Sequence, residues 1–145
     1  MSASEPPFFR QVLLIEDDPA LCQVFKLNLE RRGVAVRVAH STEEALDLLS
    51  QWHPDLLILD VSLPGRTGWD LLRALRASAQ TIPTVIISAI PPSQRRIEEF
   101  RPLAYLPKPF PLEALLRLIT GPPKSRTEED TSASAGVGGE ELADE

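Results

Sequence analysis

One cysteine, Cys22, is all the chain contains, which excludes an internal disulfide and fits a reducing compartment. It sits in a helical pattern and reads as a small core residue. No apolar run approaches the ~20 residues that a bilayer crossing needs, so membrane insertion is not expected. The opening MSASEPPFFR has no basic segment leading into a long apolar one, so no signal peptide is read and a cytoplasmic protein is expected. Basic stripes are missing too, which argues against direct nucleic-acid binding. The net charge of −6 is unevenly placed. Residues 1–120 hold 13 Lys/Arg and 14 Asp/Glu, whereas residues 121–145 hold 2 and 7. Acidity is therefore a property of the tail.

What is present is a core. Hydrophobic residues make up 43 % of the 145, enough for one packed domain. Met1–Pro7 is polar and proline-containing, and residues 1–9 read as a flexible N-terminus. From residue 10 an alternation begins. Val12–Ile15 is a short apolar run, as in a strand covered on both faces. Asp18-Pro19 reads as helix cap and first helical position. Leu21, Val24, Phe25, Asn28 and Leu29 follow at near-helical spacing, and Gly33 stops the helix. Val34–Ala39 predicts a second strand, and Ser41 with Glu44 a capping box before a helix with Ala45, Leu46, Leu48 and Leu49 inward.

The unit then repeats. Leu56–Leu59 predicts a strand ended by Asp60, and SLPGRTG over 62–68 a turn-rich loop in which Gly65 and Gly68 are turn glycines. Trp69–Ala77 predicts a helix with Leu71, Leu72 and Leu75 inward. Thr84–Ile87 predicts a strand ended by Ser88, SQRRIEEF a short polar helix, Leu103–Leu106 a fifth strand, and Leu112–Ile119 a last helix. Five strands alternating with five helices point to a parallel sheet with helices on both faces. From Gly121 apolar periodicity stops, and 121–145 reads as a disordered acidic tail. The domain is thus expected over residues 10–120.

The polar residues fall at strand ends. Strand one ends in Glu16-Asp17, strand three in Asp60, strand four in Ser88, and strand five nearly in Lys108. In an open parallel sheet, ligands bind outside those carboxyl ends. Three carboxylates within a few ångströms need a cation to stay ionised. Oxygen-only donors point to Mg²⁺ rather than zinc, which favours His and Cys. An aspartate beside Mg²⁺ can attack a phosphoryl group, while Lys108 and Ser88 supply charge and a hydroxyl to the phosphoryl oxygens. Asp60, alone at a central strand end, is the best nucleophile.

With those residues in view, VLLIEDDP, LLILDVSLPGRTGWDLL, VIISA and AYLPKPF resemble, in order, the four signatures of response-regulator receiver domains. The resemblance covers about residues 10–120 and points to a stand-alone, single-domain regulator. It implies a flavodoxin-like, doubly wound five-stranded parallel sheet in the order 2-1-3-4-5. It makes Asp60 the phosphoacceptor, Asp17 a direct metal ligand, Glu16 a ligand through water, and the Ser62 carbonyl the third protein ligand. Ser88 becomes the switch hydroxyl, Tyr105 the aromatic that moves with it, and Lys108 the phosphate-binding lysine before Pro109, a proline that is often cis in the family. The implied donor is a phosphohistidine on a sensor histidine kinase or phosphotransfer protein. The implied output is an altered face for a downstream protein, with a phosphorylation-linked homodimer compatible with both.

Departures from the family pattern are confined to one side. Nineteen residues separate Ser88 from Lys108, slightly few for the family, and Pro91-Pro92 and Arg101-Pro102 bracket the fourth helix. An atypical output face is expected. The position two residues after Asp60 is Ser62, where phosphohydrolases that use an aspartyl phosphate commonly carry a second aspartate. The chain is therefore read as a switch acting only on itself, not as an enzyme. Asp18 reads as an ordinary helix cap, His40 and His53 as structural or surface residues, and Trp52 and Trp69 as packing residues.

Overall fold

The computed structural model describes residues 9–62 and 67–121. The readings of residues 1–8, of Gly65 and of the tail from residue 122 lie outside the described residues. Among the described residues ten elements alternate: β1 (Gln11–Ile15), α1 (Pro19–Glu30), β2 (Ala35–Ala39), α2 (Thr42–Leu49), β3 (Leu56–Asp60), α3 (Gly68–Ala77), β4 (Thr84–Ser88), α4 (Gln94–Phe100), β5 (Ala104–Pro107) and α5 (Leu112–Thr120). All strand pairs are parallel and the order is β2-β1-β3-β4-β5, a doubly wound sheet.

The wholly apolar strands sit in the middle. β3 and β4 are buried at every residue and β1 at every residue but the first, because helices cover both of their faces. Alternate side chains divide into two layers, as the period of two requires. Val12, Leu14, Leu56, Ile58, Val85 and Ile87 pack with Phe25 and Leu29 of α1 and Leu115 and Ile119 of α5. Leu13, Ile15, Leu57, Leu59 and Ile86 pack with Ala45 and Leu49 of α2 and Leu71 and Leu75 of α3. Each Val, Leu, Ile or Phe among them contributes about 1.5–3 kcal/mol of transfer free energy. The edge strands β2 and β5 are only partly buried.

Several local expectations change. Phe9, read as part of the flexible N-terminus, packs against the α1–α5 layer and donates its N–H to Ile119 O at 3.1 Å. Val24, set at near-helical spacing with Leu21 and Phe25, is exposed, while Cys22 is buried beside Phe25 as expected of a core residue. At α2, Ser41 caps Glu44 N as expected, but the Glu44 carboxylate accepts from His40 N (2.8 Å). Gly68 is no turn glycine: it is buried, and it opens α3 behind a Thr67–Asp70 capping box.

Candidate functional site

The register of the central strands builds the site. Ile15 pairs with Leu59 and Asp60 with Ile87, so Glu16 and Asp60 emerge side by side at the carboxyl edge. Both continue the pleat phase of the α1–α5 layer. Ser88 and Tyr105 continue the opposite phase, and Tyr105 packs with the α2–α3 layer. The sheet therefore separates the acidic residues from the hydroxyl and the ring while keeping all of them at one edge.

The acidic residues converge. Glu16, Asp17 and Asp60 each offer a carboxylate oxygen within 4.8 Å of the others. Glu16 and Asp60 are buried and Asp17 is exposed. Lys108 enters from the turn after β5, and its ammonium donates to Glu16 Oε1 at 2.8 Å and to Asp60 Oδ2 at 2.9 Å. Backbone amides take the remaining carboxylate oxygens: Asp18 N donates to Glu16 Oε2 (3.1 Å) and Ser62 N to Asp60 Oδ1 (2.8 Å). Among the described residues, Ser62 thus enters the site through its amide.

Lys108 changes the electrostatic account drawn from the sequence, which gave the whole compensation to a metal ion. The lysine neutralises part of the repulsion directly. Burial pushes the Glu16 carboxyl above its usual range, helped by the charge of Asp60 and opposed by the Lys108 hydrogen bond. Burial works against the Lys108 ammonium, but hydrogen bonds and attraction from Glu16 and Asp60 outweigh it, so its pKa is raised. Three carboxylates and one ammonium leave a formal charge of −2 on an all-oxygen donor set. That fits a hard divalent cation.

Ser88 is buried, and its hydroxyl accepts from Ile90 N at 3.2 Å. No hydrogen bond joins it to Asp60 among the described residues. Its carbonyl receives both the Tyr105 hydroxyl (3.1 Å) and Lys108 N (2.9 Å). The Lys108–Pro109 bond is cis.

Three positioning residues were not read from the sequence. Thr42, buried at the start of α2, donates to Thr67 O (3.1 Å) and anchors the loop ahead of α3. Asp55 accepts from Arg10 N and Gln11 N, both at 3.1 Å, and fixes the start of β1. Asp70 closes the α3 capping box, which the pattern T-x-x-D could have disclosed. Trp69 stacks on Phe100 of α4 at 5.5 Å between ring centroids, so its ring senses α4.

The family model of the response regulator receiver domain matches residues 12–120. The chain belongs to that family. This receiver is 32 % identical over 129 residues to the response regulator MprA of Mycobacterium avium, covering 88 % of the chain and 57 % of that relative. It is 32 % identical over 126 residues to MprA of Mycobacterium tuberculosis, covering 86 % and 55 %. The chain thus spans little more than half the length of these curated relatives. Among solved structures, it is similar to the non-phosphorylated HemR receiver domain from Leptospira biflexa, with a TM-score of 0.68 and 33 % identity over 75 % of the chain and 90 % of that one. Chemotaxis response regulator CheY4 of Vibrio cholerae gives a TM-score of 0.69 and 26 % identity over 75 % and 94 %. Family and fold together make the domain a phosphorylation-dependent switch of two-component signalling. No helix among the described residues is long and apolar enough to cross a membrane.

Proposed function

We propose that Asp60 accepts a phosphoryl group from a phosphohistidine on a sensor kinase or phosphotransfer protein. The Lys108 ammonium, held between Glu16 and Asp60 at 2.8 and 2.9 Å, is the observation that carries this reading. An Asp60 carboxylate oxygen attacks phosphorus, the P–O bond forms as the P–N bond breaks, and the leaving imidazole keeps the electron pair and takes a proton. Glu16, Asp17 and Asp60, with the Ser62 carbonyl, would hold Mg²⁺, which when bound stabilises charge on the phosphoryl oxygens. Ser62 N–H and Lys108 orient the Asp60 carboxylate before attack and supply donors to the transferred group.

The Asp60–Lys108 pairing also couples the site to the far side of the sheet. Once the new oxygens draw the Ser88 hydroxyl from Ile90 N, the segment after β4 loses a hydrogen bond. Tyr105, hydrogen-bonded to the Ser88 carbonyl, moves with that segment, and β5 with α4 changes the face offered to a downstream protein. Short α4 makes that face atypical. The protein works in the cytoplasm, and its only chemistry is gain and loss of its own phosphoryl group.

Incubation with acetyl phosphate and Mg²⁺ tests this. The expected result is a mass gain of about 80 Da, one phosphoryl group, located on Asp60, absent without Mg²⁺ and absent in Asp60→Asn. No mass gain in the wild-type protein would make the domain a docking module that signals without phosphate.

A further inference from the structure

The face built by α3 and α4 carries charge that the switch chemistry does not use. Arg73, Arg76, Arg95, Arg96 and Arg101 are five of the 13 Lys/Arg in residues 1–120, and only Asp70, Glu98 and Glu99 oppose them on the two helices. Glu99 serves three of them: Arg73 and Arg76 approach its carboxylate to 3.8 Å and Arg96 to 3.5 Å. Arg95 has no ion pair or hydrogen bond to its side chain among the described residues. A cleft of about 460 Å³ lies between these groups, lined by Arg73, Ser93, Arg95, Arg96 and Glu99.

Helix α4 itself has no buried residue. Instead it is held to α3 from outside, by Phe100 stacked on Trp69 and by guanidinium groups over both rings. A cationic strip spread over two helices suits a chain of several anions better than one small ion, because separate guanidiniums can each engage a carboxylate.

We propose that the acidic segment 122–145 of this same chain docks on the α3–α4 face, its carboxylates entering the cleft beside Arg95 and Arg96. Charge complementarity is the first support. Residues 121–145 hold 7 Asp/Glu against 2 Lys/Arg, gathered in Glu128-Glu129-Asp130 and in Glu140-Glu141 with Asp144-Glu145. Reach is the second. A coil of 24 residues spans about 27 Å root-mean-square, about twice the ~13 Å radius of gyration of a 100-residue domain, so the distal carboxylates can cross from the end of α5 to the opposite layer. Tethering gives an effective concentration in the millimolar range, so weak, screened ion pairs suffice to populate the contact. The proposal is independent of the reading of Asp60.

Carbodiimide crosslinking of the full chain carrying Arg95→Lys tests it, since the variant keeps the charge and supplies an amine. At low micromolar protein and low salt, mass spectrometry should find the amine introduced at position 95 joined to a carboxylate of residues 128–145 within single molecules. Yield should fall several-fold between 50 mM and 500 mM NaCl, as Debye screening shortens from above to below about 10 Å. It should fall several-fold when Glu128, Glu129, Asp130, Glu140 and Glu141 are replaced by their amides, with Asp144 and Glu145 left as the remaining side-chain acceptors of the segment. The proposal is overturned if the introduced amine joins only carboxylates of α3 and α4. It is equally overturned if the segment is joined only between two molecules. Unchanged amide NMR shifts of Gln94–Phe100 between the full chain and its five-fold amide variant would sink it as well.

Discussion

Ile90 follows Ser88 by two residues, and its N–H holds the Ser88 hydroxyl at 3.2 Å while its side chain stands 72 % exposed. On the proposed phosphorylation of Asp60, an apolar side chain at this position would offer no base to activate water against the acyl phosphate. Ile90→Glu is expected to speed loss of phosphate from Asp60 by about tenfold, some 1.4 kcal/mol of barrier, in a chase of the acetyl-phosphate-labelled protein. Cys22 gives a second prediction. Burial first, and then the negative charges of Glu16, Asp18 and Asp17, push its thiol up from 9.0 to about 11. The folded state thus holds the thiol proton more tightly than the unfolded chain, a contribution complete below pH 9.0 and lost as pH rises toward 11. At pH 8 the native protein should carry about 100-fold less thiolate than the unfolded one. A thiol-specific colour reagent should therefore label Cys22 at least that much more slowly before urea is added. Cys22 was legible as a core residue from its helical spacing. The hydrogen bond from Lys108 to both carboxylates was not, because 92 residues separate Lys108 from Glu16 and no local pattern reports a contact at that range.

At the scale of elements, the start of α3 is the tightest junction. A Cβ at Gly68 would lie 2.9 Å from Val61 Cα and 3.0 Å from Leu59 Cδ1. The backbone contact cannot give without moving the strand end next to Asp60. Gly68→Ala is expected to destabilise by about 1–2 kcal/mol, overpacking outweighing the helix-propensity gain. A lower urea midpoint at an unchanged slope would register it. The sequence made Gly68 a turn glycine because Gly beside Ser, Pro and Thr signals a loop, and only packing reveals why a side chain is refused. Helix α4 is the converse case. Its shortness was legible in the flanking prolines, but its attachment through Trp69, Phe100 and arginines was not, since those residues read equally well as ordinary surface.

For the whole molecule, residues 122–145 carry no apolar periodicity that a core could use, and the proposed docking engages them through exposed, salt-screened ion pairs, each worth about 0–1 kcal/mol and offset by the entropy of ordering the segment. Truncation after Gly121 should lower the melting temperature by less than about 4 °C, measured by calorimetry at physiological salt. A larger drop would mean that the segment buries apolar surface. The sequence by itself determined the alternation of strands and helices, the central place of the three apolar strands, and the appearance of Glu16, Asp17, Asp60 and Ser88 at strand ends. Those follow from periods of 2 and 3.6 residues and from the polarity of single side chains, which act locally. Tertiary structure alone decided which pleat phase each end residue joins, that one ammonium bridges Glu16 and Asp60, and that arginines of two helices share Glu99. Such pairings depend on register and on helices laid side by side, and both are fixed only when the two core layers close.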